Sequence, residues 1–120
     1  MHGGIAIIGR EWNSGLVLEK CVNGRAYRKR LRNWYLIDRG ADDSDCFTWG
    51  YHGSGPSYTS YSILRELFGK KLAAERYHEF AELFIFMIPE DSELYIDGDE
   101  ICRMLGIRTG KRRLRKGSKP

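Results

Sequence analysis

Cysteine, proline and long apolar runs are all scarce in this sequence of 120 residues. It contains three prolines and three cysteines, and Cys21, Cys46 and Cys102 lie far apart along the chain. An odd number of isolated cysteines argues against a disulfide framework. It also argues against a zinc site, which normally shows a Cys-x-x-Cys or similar pair. We therefore expect free thiols, no bound metal and no other cofactor.

No apolar run approaches the roughly 18 residues that a membrane-spanning helix needs. The N-terminus offers only residues 5–8, Ile-Ala-Ile-Ile, and the polar segment 9–11 follows at once. This run is too short for a signal peptide. We expect a cytoplasmic protein that does not bind membranes. The length fits one domain with a core of its own and is too short for two.

Acidic residues are absent from the last thirteen positions. Of the 20 Lys and Arg residues, seven lie there, so thirteen remain in residues 1–107 against all 16 acids, a net charge of −3. The seven cations are Arg108, Lys111, Arg112, Arg113, Arg115, Lys116 and Lys119. Runs of like charge are typical of disordered interaction arms, and nucleic acid is a common acidic partner. We expect a domain over residues 1–107 and a basic, disordered tail over 108–120, with a merely solubilising appendage as the alternative.

The first half of the chain has the pattern of a small antiparallel sheet. Asn23-Gly24 favours a two-residue hairpin turn, because both residues tolerate positive φ. The predicted strands are residues 5–8, 16–22, 25–31 and 34–37, followed by a short extended segment at 46–51.

From residue 56 onwards the apolar spacing becomes helical. It predicts a helix to residue 68 that Gly69 ends, and a longer helix over residues 71–88. A strand over residues 93–96 and a short helix with a capping box at Asp97 and Glu100 complete the chain up to Gly106. Strands first and helices second predict an α+β domain, with two to three helices packed on one face of the sheet.

The most distinctive segment is FTWGYHGSGP at residues 47–56. Its glycines, Gly50, Gly53 and Gly55, can each take positive φ. Ser54 is placed to cap a helix, and a proline suits a first helical turn. The segment therefore predicts a turn into a helix that begins near residue 56.

The same residues carry a resemblance to a known family. Trp49-Gly50-Tyr51-x-Gly53-Ser54-Gly55-Pro56, followed by a helix with an Ile63-Leu64 pair, resembles the signature of an uncharacterised small-domain family of bacteria and phages. In that family the motif precedes a helix, a second helix with a Tyr/Phe face, a short apolar strand and a final short helix. The resemblance spans about residues 47–105, with a weaker echo in the N-terminal strands. It implies no activity, because the family has none assigned.

The motif is also a candidate ligand or partner surface. The residues concerned are Trp49, Tyr51, His52, Gly53, Ser54 and Gly55. Free N–H groups at a helix N-terminus suit an anion, but the Walker lysine of a P-loop is missing, and a structural turn is the favoured interpretation. Ser54 does not lie in a Gly-x-Ser-x-Gly motif, and His52 has no carboxylate partner at a fixed spacing. We identify no catalytic residues.

The return strand of the predicted hairpin is basic. The cations of this segment are Arg25, Arg28, Lys29, Arg30 and Arg32. Such cations contact phosphates, and nearby aromatics such as Tyr27, Trp34 and Tyr35 can stack on single-stranded bases. We take Arg25, Arg28 and Arg30 as candidate nucleic-acid contacts. Alternatively, Tyr27 and Trp34 belong to the core and the arginines pair with nearby aspartates.

Two classes of function therefore stay open. The first is a non-enzymatic binding or accessory protein of phage or mobile-element type that binds nucleic acid through the tail and the basic strand. The second is a protein-interaction module that modulates a host protein through an aromatic surface around Trp49, Tyr51 and Tyr58. A nucleotide or anion pocket at residues 53–56 is a third, less favoured alternative.

Overall fold

The computed structural model describes residues 4–44 and 46–107. Four strands and four α-helices make up the fold, and a π-helical turn, Ala81–Ile85, continues the third helix. The strands are β1 (Ile5–Gly9), β2 (Val17–Val22), β3 (Arg25–Arg30) and β4 (Leu94–Asp97). The helices are α1 (Trp34–Ile37), α2 (Ser54–Phe68), α3 (Lys70–Phe80) and α4 (Gly98–Leu105). The predicted tail, residues 108–120, lies outside the described residues.

The four strands form one antiparallel sheet in the order β3-β2-β1-β4. Ile7 pairs with Leu18 on one side and with Ile96 on the other, and all three side chains are buried. These residues lie on the face that packs against the helices, where Ile63 and Phe80 belong to the same core. The predicted α+β class is confirmed.

The predicted hairpin is also confirmed. Asn23 has φ 52° and Gly24 has φ 77°, so both turn residues adopt the left-handed conformation. Such a turn matches the twist of the two strands that it joins. It fixes the register, which begins with Val22 opposite Arg25 and ends with Val17 opposite Arg30.

The predicted strand at residues 34–37 is wrong, because these residues form α1. The buried side chain of Asn33 accepts a hydrogen bond from the Leu36 N–H at 3.2 Å and thereby caps the helix. A run of four apolar residues does not show by periodicity whether it is helix or strand. The predicted extended segment at 46–51 is reduced to one isolated bridge between Phe47 and Ser14.

The turn into α2 forms at the predicted place, but its residues act differently. Helix α2 begins at Ser54, and Gly53 rather than Ser54 occupies the N-cap position. Gly50 has φ 93°, as the motif predicts. Gly53, in contrast, is extended with φ 176°, and Gly55 lies inside the helix. The glycines at 53 and 55 are therefore not required by positive φ.

The ends of α2 and α4 follow the sequence signals. Gly69, with φ 100°, ends α2, and Gly106, with φ 69°, ends α4. The carboxylate of Asp97 accepts a hydrogen bond from the Asp99 N–H at 2.9 Å and caps α4. The helix predicted for residues 71–88 is shorter than expected, because α3 ends at Phe80 and the π-helical turn follows it.

Candidate nucleic-acid interface

Strand β3 is the exposed edge of the sheet. All six of its side chains are exposed, and they include Arg25, Tyr27, Arg28, Lys29 and Arg30. Because Val22 and Arg25 close the hairpin, alternate residues of β3 direct their backbone groups towards β2. The backbone groups of Arg28 and Arg30 therefore face outward. The three predicted arginine contacts are brought together on this one strand.

Each central cation of β3 contacts a carboxylate. Arg28 Nε lies 2.8 Å from Glu19 Oε2, and Lys29 Nζ lies 2.9 Å from Glu66 Oε2. Arg30 Nη2 lies 3.6 Å from an oxygen of Asp43. The pairing that the sequence left open is thus present. More than half of each cationic side chain is still exposed, so these pairs hold the cations in place without covering them.

Glu66 on α2 is the anchor for Lys29. Its other carboxylate oxygen accepts a hydrogen bond from the indole N–H of Trp34 at 2.9 Å. Burial acts to raise the pKa of Glu66, but the hydrogen bonds from Lys29 and Trp34 outweigh burial and hold this pKa below its usual value. Glu66 is therefore ionised at neutral pH and joins the edge of the sheet to α1 and α2.

The charges of the domain are segregated around this strand. We call the cations on and beside the hairpin the basic hairpin surface: Lys20, Arg25, Arg28, Lys29, Arg30 and Arg32. Among the residues that the structure describes, Glu19, Asp43 and Glu66 contact these cations. Six cations and three acids give +3, and the other seven cations and thirteen acids of residues 1–107 give −6. A surface of one sign on a body of the other sign steers an anionic partner to one side.

The motif residues, in contrast, do not form one binding surface. Trp49 is completely buried in the core, so the prediction that it contacts a partner is wrong. Tyr51 is exposed, and its ring stands against the Trp12 ring with centroids 6.2 Å apart. His52 packs on the Phe86 ring at 4.3 Å. The indole side chain of Trp49 is large and apolar, so it packs into the core although polar residues and glycines surround it in the sequence.

The glycines at 53 and 55 make room for the protein itself. A Cβ atom on Gly53 would lie 2.7 Å from the Tyr51 ring. A Cβ on Gly55 would collide with the hydroxyls of Thr48 and Tyr51, which are 3.1 Å apart. The space beside the start of α2 is therefore filled by these two side chains. This geometry favours a structural role for the two glycines over an anion pocket. The side chain of Ser54, the first residue of α2, is exposed.

Tyr58 packs in a different aromatic cluster from Tyr51. It stacks on Tyr35 at 4.1 Å, and the guanidinium of Arg39 lies 3.5 Å from the centre of the Tyr35 ring. Tyr61 and Tyr77 complete the cluster with edge-on contacts at 5.5 Å. These aromatic side chains fasten α1 to α2 and α3.

The described part of the chain gives little support to other kinds of site. No group of three or more His, Cys, Asp or Glu residues there could hold a metal ion, and no helix there is long and apolar enough to cross a membrane. The six tail residues predicted to bind nucleic acid, Arg108 to Lys116, fall outside the described residues.

Sequence reasoning missed Lys20 and Glu66. The turn could have revealed Lys20, because a two-residue hairpin places it opposite Tyr27.

Comparison with known proteins gives a family but no activity. No curated protein and no solved structure matches the chain. One protein family of unknown function, DUF6166, matches residues 13–106. The match begins in the loop after β1 and ends just after α4, so it covers most of the described fold and leaves out the basic tail. The chain therefore belongs to the family of unknown function DUF6166.

Proposed function

We propose that this protein is a cytoplasmic, non-enzymatic binding protein of phage or mobile-element type that binds nucleic acid. The phosphates contact the basic hairpin surface, and the tail supplies a second set of cations. The observation that carries the proposal is the exposed, basic edge strand β3 on an otherwise acidic domain. Cations that stay exposed while carboxylates hold them in place are suited to contact phosphates without reading sequence.

A different role for the same cations is protection of the sheet edge. Charged side chains on an edge strand prevent it from pairing with a strand of another chain. Protection alone predicts that removal of Arg28 and Arg30 causes self-association and leaves nucleic-acid binding unchanged. Phosphate binding predicts weaker binding of nucleic acid without self-association, so this one double variant separates the two roles.

The test is fluorescence anisotropy with labelled single-stranded DNA, duplex DNA and RNA between about 50 and 200 mM salt. The double variant Arg28→Ala/Arg30→Ala should bind all sequences more weakly. Its plot of log affinity against log salt should be flatter by up to about 1.4 units on single strands, or about 1.8 on duplex, if both phosphate contacts are lost. The matched control is Lys70→Ala/Lys71→Ala, which removes two exposed cations from the start of α3.

The contribution of the tail is measured with a chain that ends at Ile107. Ile107 packs against the core and donates its N–H to Cys102 O, so the cut is placed after it. Each phosphate contact of the tail that is lost should flatten the salt slope by about 0.7 to 0.9 units. Absence of binding by the full-length protein at low salt refutes the proposal. Equal losses in the Lys70/Lys71 control and in the Arg28/Arg30 variant would show that only overall charge matters.

One observation favours the second candidate, a protein-interaction module that modulates a host protein. Tyrosine and arginine are enriched at interaction hot spots, and the half-buried pair of Tyr35 and Tyr58 lies beside the exposed Arg39. This surface shares Tyr58 with the predicted surface around Trp49, Tyr51 and Tyr58. Binding through it would depend little on salt, and Tyr58→Ala would weaken it without any change in binding to nucleic acid.

A further inference from the structure

A groove runs along the inner side of the basic hairpin surface. The last three residues of β2 and all of β3 are exposed, so the sheet extends past the helices at its turn end. The groove lies between this extension and the end of α2, with a volume of about 690 Å³. Its lining combines apolar and charged side chains, among them Lys20, Val22, Tyr27, Lys29, Glu66 and Leu67.

Tyr27 is the aromatic side chain that lines this groove. Its side chain is 48% exposed, although it lies on the same face of the sheet as the buried Leu18. Lys20 is its direct cross-strand partner, and Lys29 lies two residues further along β3, about 7 Å away on the same face. An exposed aromatic ring with two lysines at neighbouring positions of the same face is a stacking platform with phosphate-binding groups beside it.

We propose that this groove binds single-stranded nucleic acid, with one base stacked on Tyr27 and the flanking phosphates near Lys20 and Lys29. The inference rests on the proposed nucleic-acid function and names the form of nucleic acid that the site accepts. Apolar Val22 and Leu67 form walls that a base can contact. Lys29 pairs with the ionised carboxylate of Glu66 and neutralises it, and 59% of the Lys29 side chain is still exposed, so a phosphate can contact Lys29 from the solvent side.

Stacking explains why an unpaired strand is preferred. In a duplex, the faces of the bases are covered by their neighbours, and only backbone and groove edges are accessible. The Tyr27 ring lines a concave site, and a flexible single strand can place one base against this ring. Arg28 and Arg30 lie on the other face of the same strand and supply contacts that either form of nucleic acid can use.

The test compares full-length variants at one salt concentration by anisotropy, with a single strand and with its duplex. Tyr27→Leu should weaken binding of the single strand by about 5- to 150-fold, the loss of one stacked base. Binding of the duplex should be unchanged, and so should the salt slope, because no charge is removed. Tyr27→Trp should restore or exceed the wild-type affinity. Tyr95→Leu is the matched control, since Tyr95 is 63% exposed on the opposite face of the sheet.

The outcomes separate this inference from the proposed function. Equal binding of single strand and duplex by the wild type, with no effect of Tyr27→Leu, overturns the single-strand inference and leaves nucleic-acid binding in place. Equal losses in the Tyr27→Leu and Tyr95→Leu variants also overturn it, because the effect would then not be local to the groove. Absence of binding to any nucleic acid removes both proposals.

Discussion

Replacement of Asp38 by Asn should destabilise the domain, because one carboxylate joins α1 to α2. Its Oδ2 atom accepts hydrogen bonds from the Tyr61 hydroxyl at 2.7 Å and from Arg65 Nε at 2.9 Å. Its Oδ1 atom lies 3.3 Å from the second Arg65 donor. Only 9% of the Asp38 side chain and 26% of the Arg65 side chain are exposed, so the solvent screens this pair weakly.

The size of the effect follows from these contacts. Asparagine keeps the shape but loses the charge, and its NH₂ group must face one of the donors. Hydrogen bonds to charged groups contribute about 1.5–3 kcal/mol, against about 0.5–1.5 kcal/mol for neutral ones. We expect the free energy of unfolding to fall by about 2–3 kcal/mol at neutral pH. For a domain of this size, the midpoint of thermal unfolding should fall by about 8–12 °C.

The pH dependence provides a second test of the same contacts. Hydrogen bonding to the Arg65 guanidinium lowers the pKa of Asp38, with smaller help from Tyr61 and against the effect of burial. A carboxylate whose pKa is lowered on folding contributes stability above its unfolded pKa of about 3.9, and this contribution is lost as the pH falls through the folded value. The stability difference between wild type and Asp38→Asn should therefore be largest near neutral pH and shrink below about pH 4.

The measurement is urea and thermal unfolding followed by circular dichroism at several pH values. Asp42→Asn is the control, because it makes the same substitution at an exposed position of the neighbouring loop. Its effect should stay within about 0.5 kcal/mol. An Asp38→Asn variant as stable as wild type at neutral pH would refute the reasoning. A loss of stability that is the same at every pH would show that packing, not charge, is responsible.

Two further predictions concern the motif and the hairpin. Gly55→Ala should destabilise the protein by about 1–3 kcal/mol, because its Cβ would collide with Thr48 and Tyr51. Helix propensity alone would make the same change stabilising, so the sign of the shift in the urea midpoint shows which effect is larger. The additional substitutions Thr48→Ala and Tyr51→Phe should relieve the loss of stability. Glu19→Gln should release Arg28 and tighten oligonucleotide binding by about 1.5- to 5-fold, the strength of an exposed ion pair. Weaker binding by this variant in an anisotropy titration would contradict the proposed use of Arg28.

Most of the fold could be predicted from the sequence where the signal is local. The Asn23-Gly24 turn and the glycines that end α2 and α4 require left-handed backbone, and the structure places them in that conformation. Residues 34–37 were predicted wrongly because a four-residue apolar run carries no usable period, and the cap at Asn33 decided for a helix. The exposure of Arg25, Arg28 and Arg30 on β3 is what charged side chains favour, and their contact with nucleic acid stays a prediction.

Local sequence signals specify the hairpin and its register, the ends of α2 and α4 at Gly69 and Gly106, and the segregation of charge. The tertiary structure decided which distant residues meet. Lys29 and Glu66 are 37 positions apart, and their contact exists only because α2 packs beside the edge of the sheet. The burial of Trp49 and the groove around Tyr27 arise in the same way, since burial and concavity depend on how elements pack, not on the residues that flank each position.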